Sequence, residues 1–125
     1  MSKILGIDWG QSKIGLAVGS TEVGVASPFD IIKNDIKTID IIKNICCDKD
    51  IKTIVAGELR DENKKFDKFI DGLKFLGLTV ELEDERMTSK MAGNLNRDLR
   101  GQDDAAAASL VLQGWLERKS VIDIR

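Results

Sequence analysis

No histidine occurs anywhere in the chain. Its absence removes Ser-His-Asp and Cys-His catalysis, and imidazole acid–base chemistry with them. Any reaction must draw on carboxylates, lysines, hydroxyls or a metal ion. Cysteine is scarce too: the only two, Cys46 and Cys47, are neighbours. Adjacent helical residues point in different directions, so a disulfide between them would be strained, and both read as small core residues. Without imidazole or further thiols a zinc site lacks ligands. A single proline, Pro28, leaves little room for a Pro-rich linker. No apolar run approaches the roughly 20 residues of a membrane helix. The opening stretch MSKILGIDWG is interrupted by Asp8 and does not read as a signal peptide. No membrane partner is expected, and the expected compartment is the cytoplasm. A basic surplus is also missing. The net charge is −2, whereas nucleic-acid binders usually carry a positive excess. Local patches matter more than totals, and between Met87 and Gly101 the charges are Lys90, Arg97 and Arg100 against Asp98 alone.

What is present fits an ordinary globular chain: 125 residues, 42% hydrophobic and 32% charged. That length suits a single domain over 1–125 with one buried core. Lys3 to Trp9 reads as a strand, with Ile4, Gly6 and Asp8 on one face and Leu5, Ile7 and Trp9 on the other. Gly10 permits a tight turn. A second strand follows over Lys13 to Gly19 and a third over Thr21 to Ser27, and Pro28 ends this meander. Ile36, Ile39, Ile42, Ile45 and Cys46 recur at helical spacing, which predicts a helix from Asp35 to Asp48. Ile51 to Ala56 is a short apolar strand terminated by Gly57. Phe66, Phe69, Ile70, Leu73 and Leu76 form a second helical stripe, closed by Gly77. Leu78, Val80 and Leu82 alternate with Thr79, Glu81 and Glu83 in a fifth strand. A polar helix is predicted from Thr88 to about Leu99, and a last helix from about Asp104 to Arg118. Short gaps make the first three strands antiparallel, and the later strand–helix–strand units favour parallel pairing.

Three acidic positions stand at element ends: Asp8 after the first strand, Asp84 and Glu85 after the fifth, Asp103 and Asp104 before the last helix. Such ends are where α/β sites collect. From Asp104, helical spacing leads to Ala108, Val111, Leu112 and Trp115, an apolar face that turns Asp104 toward the sheet. The alanines at 105–108 allow close approach. Asp103 maps onto a weaker face and is the runner-up. Singly, each acid has an ordinary alternative: a turn aspartate, a helix cap or a surface ion pair. Converging carboxylates repel one another unless a cation lies between them. Clustered carboxylates without imidazole or thiolate suit Mg²⁺ or Mn²⁺. Such ions support phosphodiester cleavage.

At these residues the chain resembles the YqgF family, also called RuvX. Its members are RNase H-like proteins described as pre-16S rRNA nucleases and formerly as Holliday junction resolvases. ILGIDWGQSKIGLAVG at 4–19 resembles the family's opening strand, DxG turn and second strand. IVAGELR at 54–60 resembles its central strand, DERMTSKMA at 84–92 its DER motif, and DDAAAASLVLQGWLE at 103–117 its closing helix. The resemblance implies an α/β, RNase H-like fold: a mixed five-stranded sheet, antiparallel meander first and parallel strands after, flanked by helices. It implies Asp8, Glu85 and Asp104 as catalytic, metal-holding carboxylates for Mg²⁺ or Mn²⁺. It matches Gly10 and Gly15 to turn glycines, and sets Lys13, Arg86 and Thr88 where they touch phosphate or brace the site. With Lys90 from the basic stretch, Gly10, Lys13, Arg86 and Thr88 make the expected substrate contacts. The implied activity is trimming of precursor 16S rRNA at its 5′ end. Cleavage of branched DNA, or nucleic-acid binding without catalysis, is the alternative. The expected partner is structured RNA or branched DNA, and the expected state a monomer or weak dimer. The chain departs from the family in having Glu58 and Leu59 after Gly57 instead of Leu-Pro, and in a short stretch between Ala92 and Asp104. Both lie where substrate would be gripped. Glu58 reads as an exposed loop residue. A DxG turn also occurs in actin-like ATPases, but these need a second domain that this chain lacks.

Overall fold

The computed structural model describes residues 3–58, 63–84 and 104–124. Within them the order is β1 (Lys3–Trp9), β2 (Lys13–Ser20), β3 (Ala26–Lys33), α1 (Thr38–Lys49), β4 (Thr53–Glu58), α2 (Lys64–Phe75), β5 (Thr79–Asp84) and α3 (Asp104–Ile124). The strands form one sheet in the order β3-β2-β1-β4-β5. β1 pairs antiparallel with β2 and parallel with β4, β2 antiparallel with β3, and β4 parallel with β5. The mixed sheet expected from the sequence is thus the one that forms.

β1 is central and covered on both faces. Leu5, Ile7 and Trp9 join Ile14, Leu16, Ile54 and the apolar sides of α1 and α2 in one core cluster. On the opposite face Ile4, Ala17 and Val55 pack with Ala108, Val111, Leu112, Trp115 and Leu116 of α3. Strand periodicity divides alternate residues of β1 between the two layers.

α3 packs close because the facing positions are small. A Cβ built on Gly6 would lie 2.7 Å from Leu112 Cβ and 3.0 Å from the Ala108 carbonyl oxygen. On Gly19 it would lie 3.1 Å from Leu116 Cδ1 and 3.2 Å from Leu112 Cδ2. Gly19 is level with Ile4 in register. Rising numbers along α3 therefore track falling numbers along β1, and the two run in opposite directions.

Several element bounds differ from those read in the sequence. The third strand is Ala26–Lys33, not Thr21 to Ser27, and Pro28 lies inside it. β3 is an edge strand, where a residue without an N–H is tolerated. The register also shifts there: Leu16 faces Asp30 and Ala17 faces Pro28, so Phe29 is bulged out. Residues 21–25 instead form a turn. Gly24 has φ +75° and its N–H donates to the Ser20 carbonyl. Gln113 of α3 anchors that turn, accepting from the Ala26 N–H at 2.8 Å and donating to the Gly24 carbonyl at 3.0 Å.

α1 begins at Thr38, not Asp35, and Ile36 stays 95% exposed, outside the expected stripe. Asp35 closes a turn instead, its Oδ1 accepting from the Lys37 N–H. The Thr38 hydroxyl accepts from the Asp35 N–H and donates to the Lys33 carbonyl. β4 begins at Thr53 and runs through Gly57 to Glu58, because the Ile51 N–H is still bonded to Cys46 at the end of α1. Glu58 therefore closes a strand and is not a loop residue. α3 continues to Ile124, past Arg118, since neither glycine nor proline follows its last apolar residues. The helix expected from Thr88 to Leu99 lies outside the described residues.

The two cysteines also part company: Cys46 is buried and Cys47 exposed. Burial, and then the charge of Cys47, push the Cys46 thiol up to about 11. At pH 8 a disulfide reagent should titrate one thiol per folded chain, that of Cys47. The second should react only after denaturation. Two equally fast thiols in the native protein would contradict this packing.

Candidate active site

Asp8 is the next-to-last residue of β1, half-buried, on the face covered by α3. Strand pairing holds its backbone to β2, and β1 is paired on both sides up to Ile7. In register Asp8 stands opposite Gly15 of β2, and β4 runs alongside with Ala56 beside Ile7. The turn after it is tight: a Cβ on Gly10 would lie 2.7 Å from the Lys13 carbonyl oxygen. Asn34 pins this turn, donating from its side chain to the Gly10 carbonyl at 2.6 Å and from its N–H to the Ser12 carbonyl. Gly10 is thus a turn glycine, and Lys13 opens β2 with its side chain exposed.

α3 supplies the next element. Gly6 meets Leu112 and Ala108, and Asp104 begins the helix one turn earlier. Because helix and strand run oppositely, α3 starts over the end of β1 that carries Asp8. The buried residues Ala108, Val111, Leu112 and Trp115 form the sheet-facing side expected from the sequence. The start of a helix presents unpaired N–H groups and partial positive charge, which favour an anion such as phosphate.

β5 ends at Asp84. Its acidic alternation, which the sequence leaves without a partner, faces α3. Glu81 accepts from the Trp115 indole N–H at 3.2 Å, and Glu83, 1% exposed, pairs with Arg118. Glu83 is level with Gly57 across the β4–β5 ladder. A buried carboxylate is costly without an opposite charge, so the Glu83–Arg118 contact ties the end of β5 to α3. The sequence carried no direct signal for this pair, because Arg118 is 35 residues from Glu83.

The side chains of Glu58, Asp84 and Asp104 lie outside the described residues, as do Glu85, Arg86, Thr88 and Lys90 altogether. Among the described residues no three His, Cys, Asp or Glu side chains form a metal-binding group.

The family model described as "RuvX: Holliday junction resolvase" matches residues 2–118. The chain belongs to the RuvX family. Curated RuvX relatives cover nearly its whole length. One from Endomicrobium trichonymphae, named "Putative pre-16S rRNA nuclease", is 33% identical over 96% of this chain and 99% of its own. One of the same name from Orientia tsutsugamushi is 35% identical over 93% of this chain and 84% of its own. A third, from Acaryochloris marina, is 32% identical over 92% of both. Among solved structures, RuvC of Thermus thermophilus, in complex with a Holliday junction substrate, superposes with a TM-score of 0.61 at 12% identity, covering 95% of this chain and 96% of its own. The fowlpox virus Holliday junction resolvase gives 0.56 at 13% identity, covering 94% and 99%. These two show the fold, which is that of the RNase H-like resolvases. No described helix of this RuvX protein is long and apolar enough to cross a membrane.

Proposed function

We propose that this protein is a divalent-metal-dependent nuclease, a hydrolase of phosphodiester bonds, and that it processes the 5′ end of precursor 16S rRNA. The observation that carries the reading is the meeting of two elements. β1 brings a half-buried aspartate, Asp8, to the sheet end where α3 begins at Asp104. Family membership and the name of the relatives support the choice of RNA.

Asp8, Glu85 and Asp104 are the catalytic carboxylates and would hold Mg²⁺ or Mn²⁺. Their donor set is oxygen alone, in a chain without histidine, which fits a hard ion. Such an ion, when bound, lowers the pKa of water and offsets charge on the phosphate oxygens. The chain's own residues do the positioning. β1, paired on both sides, keeps the Asp8 carboxylate from moving with the substrate. The start of α3 favours the anionic phosphodiester electrostatically. Gly10 keeps the adjoining turn low, and Lys13, Arg86, Thr88 and Lys90 contact the substrate backbone. In this reading the protein works as one domain over 1–125, in the cytoplasm, as a monomer or weak dimer.

The family's description favours a second reading, resolution of branched DNA. A side-by-side assay separates the two. With Mg²⁺ or Mn²⁺ the purified protein is expected to shorten a precursor 16S rRNA fragment, to leave a four-way DNA junction intact, and to stop when the metal is chelated. Preferential cutting of the junction would transfer the assignment to DNA. Undiminished cutting in EDTA would remove the metal from the mechanism.

A further inference from the structure

On the far side of the sheet from α3 lies a cavity of about 580 Å³, beside the turn that follows Asp8. Its apolar lining includes Trp9, Ile36, Ile39 and Phe69, and it is joined by Lys65 and Lys68 from the first turns of α2. Three features of this place are unexplained by folding alone. Trp9 is 8% exposed, yet its indole N–H is buried with no acceptor among the described residues. Ile36, at the start of the α1 turn, is 95% exposed, a poor situation for a large apolar side chain. Among the described residues the two lysine ammonium groups have no carboxylate partner. Of the cavity's other polar residues, Asn34, Asp35 and Thr38 are already engaged, and Gln11 lies on the exposed turn. The Asn34 side chain donates to the Gly10 carbonyl, and the Asp35 carboxylate accepts from the Lys37 N–H.

We propose that this cavity holds one nucleotide of a single-stranded stretch of the substrate, next to the one presented to Asp8. The proposal rests on the nuclease reading above and adds a subsite to it. A nucleobase has flat apolar faces to cover Ile36 and Phe69 and to lie against the Trp9 side chain that lines the cavity. Its phosphate supplies the counter-charge for Lys65 and Lys68. The volume is within the range of small-ligand sites. Asp8 and Trp9 are consecutive strand residues and point to opposite faces. A strand crossing the Gly10 turn at the sheet end therefore meets the catalytic carboxylate on one side and this cavity on the other. Aromatic and lysine side chains together are the usual means of holding single strands without sequence preference.

The test uses ¹⁵N-labelled Asp8→Asn protein in EDTA, titrated with a ten-nucleotide single-stranded RNA. The Trp9 indole resonance, assigned by its loss in Trp9→Phe, is expected to move on binding. Uridine 5′-monophosphate should move it in the same direction, and inorganic phosphate should leave it in place. Charge reversal of the exposed pair, Lys65→Glu with Lys68→Glu, should weaken RNA binding by at least about tenfold and flatten its salt dependence by about one unit of log–log slope. A stationary Trp9 resonance at saturating RNA, an equal shift with inorganic phosphate, or unchanged affinity in the double variant overturns the proposal. Cleavage by the wild-type protein with Mn²⁺ is measured in parallel. Cleavage with a silent Trp9 removes only the subsite, and a moving Trp9 without cleavage removes only the nuclease reading.

Discussion

Asp8→Asn is expected to lower RNA cleavage on the order of 10³-fold or more, since a carboxylate that holds a catalytic ion supports several kcal/mol of transition-state stabilisation. Asparagine keeps the shape of the side chain and one oxygen, so β1 and its pairing should survive. What is lost is the negative charge that attracts a divalent ion. Circular dichroism and the thermal midpoint should remain close to wild type, while Mn²⁺ affinity falls together with activity. Two outcomes would contradict the assignment. A variant that cuts as fast as wild type shows that Asp8 takes no part. One that loses both fold and activity shows a structural aspartate, and the chemistry would then have to be sought elsewhere.

Gly6→Val should produce the largest loss of stability among single substitutions in β1. The clash begins at the first added carbon, 2.7 Å from Leu112 Cβ and 3.0 Å from a helix carbonyl. Neither is the free end of a flexible side chain, so α3 as a whole must shift. Overpacking of this kind costs about 1–3 kcal/mol or more, which lowers the thermal midpoint by roughly 5–15 °C in a domain of this size. The displaced helix starts beside Asp8, so activity should fall further than the folded fraction does. Gly72→Ala is the matched comparison. Its new carbon would lie 3.3 Å from Ile39 Cδ1, a side-chain end that can yield, and alanine favours the helix. That variant should be neutral or slightly stabilised. If both glycine variants melt at the same temperature, close approach of α3 is not what Gly6 provides.

Much of this molecule was legible because periodicity reports local geometry. Alternation marks β1 and β5, the short gap after the Gly10 turn marks β2, and helical spacing marks α2 down to its closing glycine, Gly77, at φ +91°. Wherever a bound depended on a distant partner, the reading slipped. Pro28 ordinarily signals the end of a strand, and only the edge position of β3 and the bulge at Phe29 explain its place inside one. Ile36 has the spacing of a core residue, but the hydrogen bonds of Asp35 and Thr38 delay the helix past it. Gly57 could equally end a strand or continue one, and its pairing with Glu83 settles the matter.

The candidate site divides in the same way. Asp8 at a strand end and the sheet-facing side of α3 follow from spacing along one element, and so the chain alone determined them. It could not determine that Glu83 is buried and matched by Arg118, or that Trp9, its N–H unanswered among the described residues, shares a cavity with two lysines. Both depend on which surfaces meet after the sheet closes. Residue order encodes the preferences of each element, whereas burial and charge pairing are properties of elements already packed together. Only the tertiary structure could decide them.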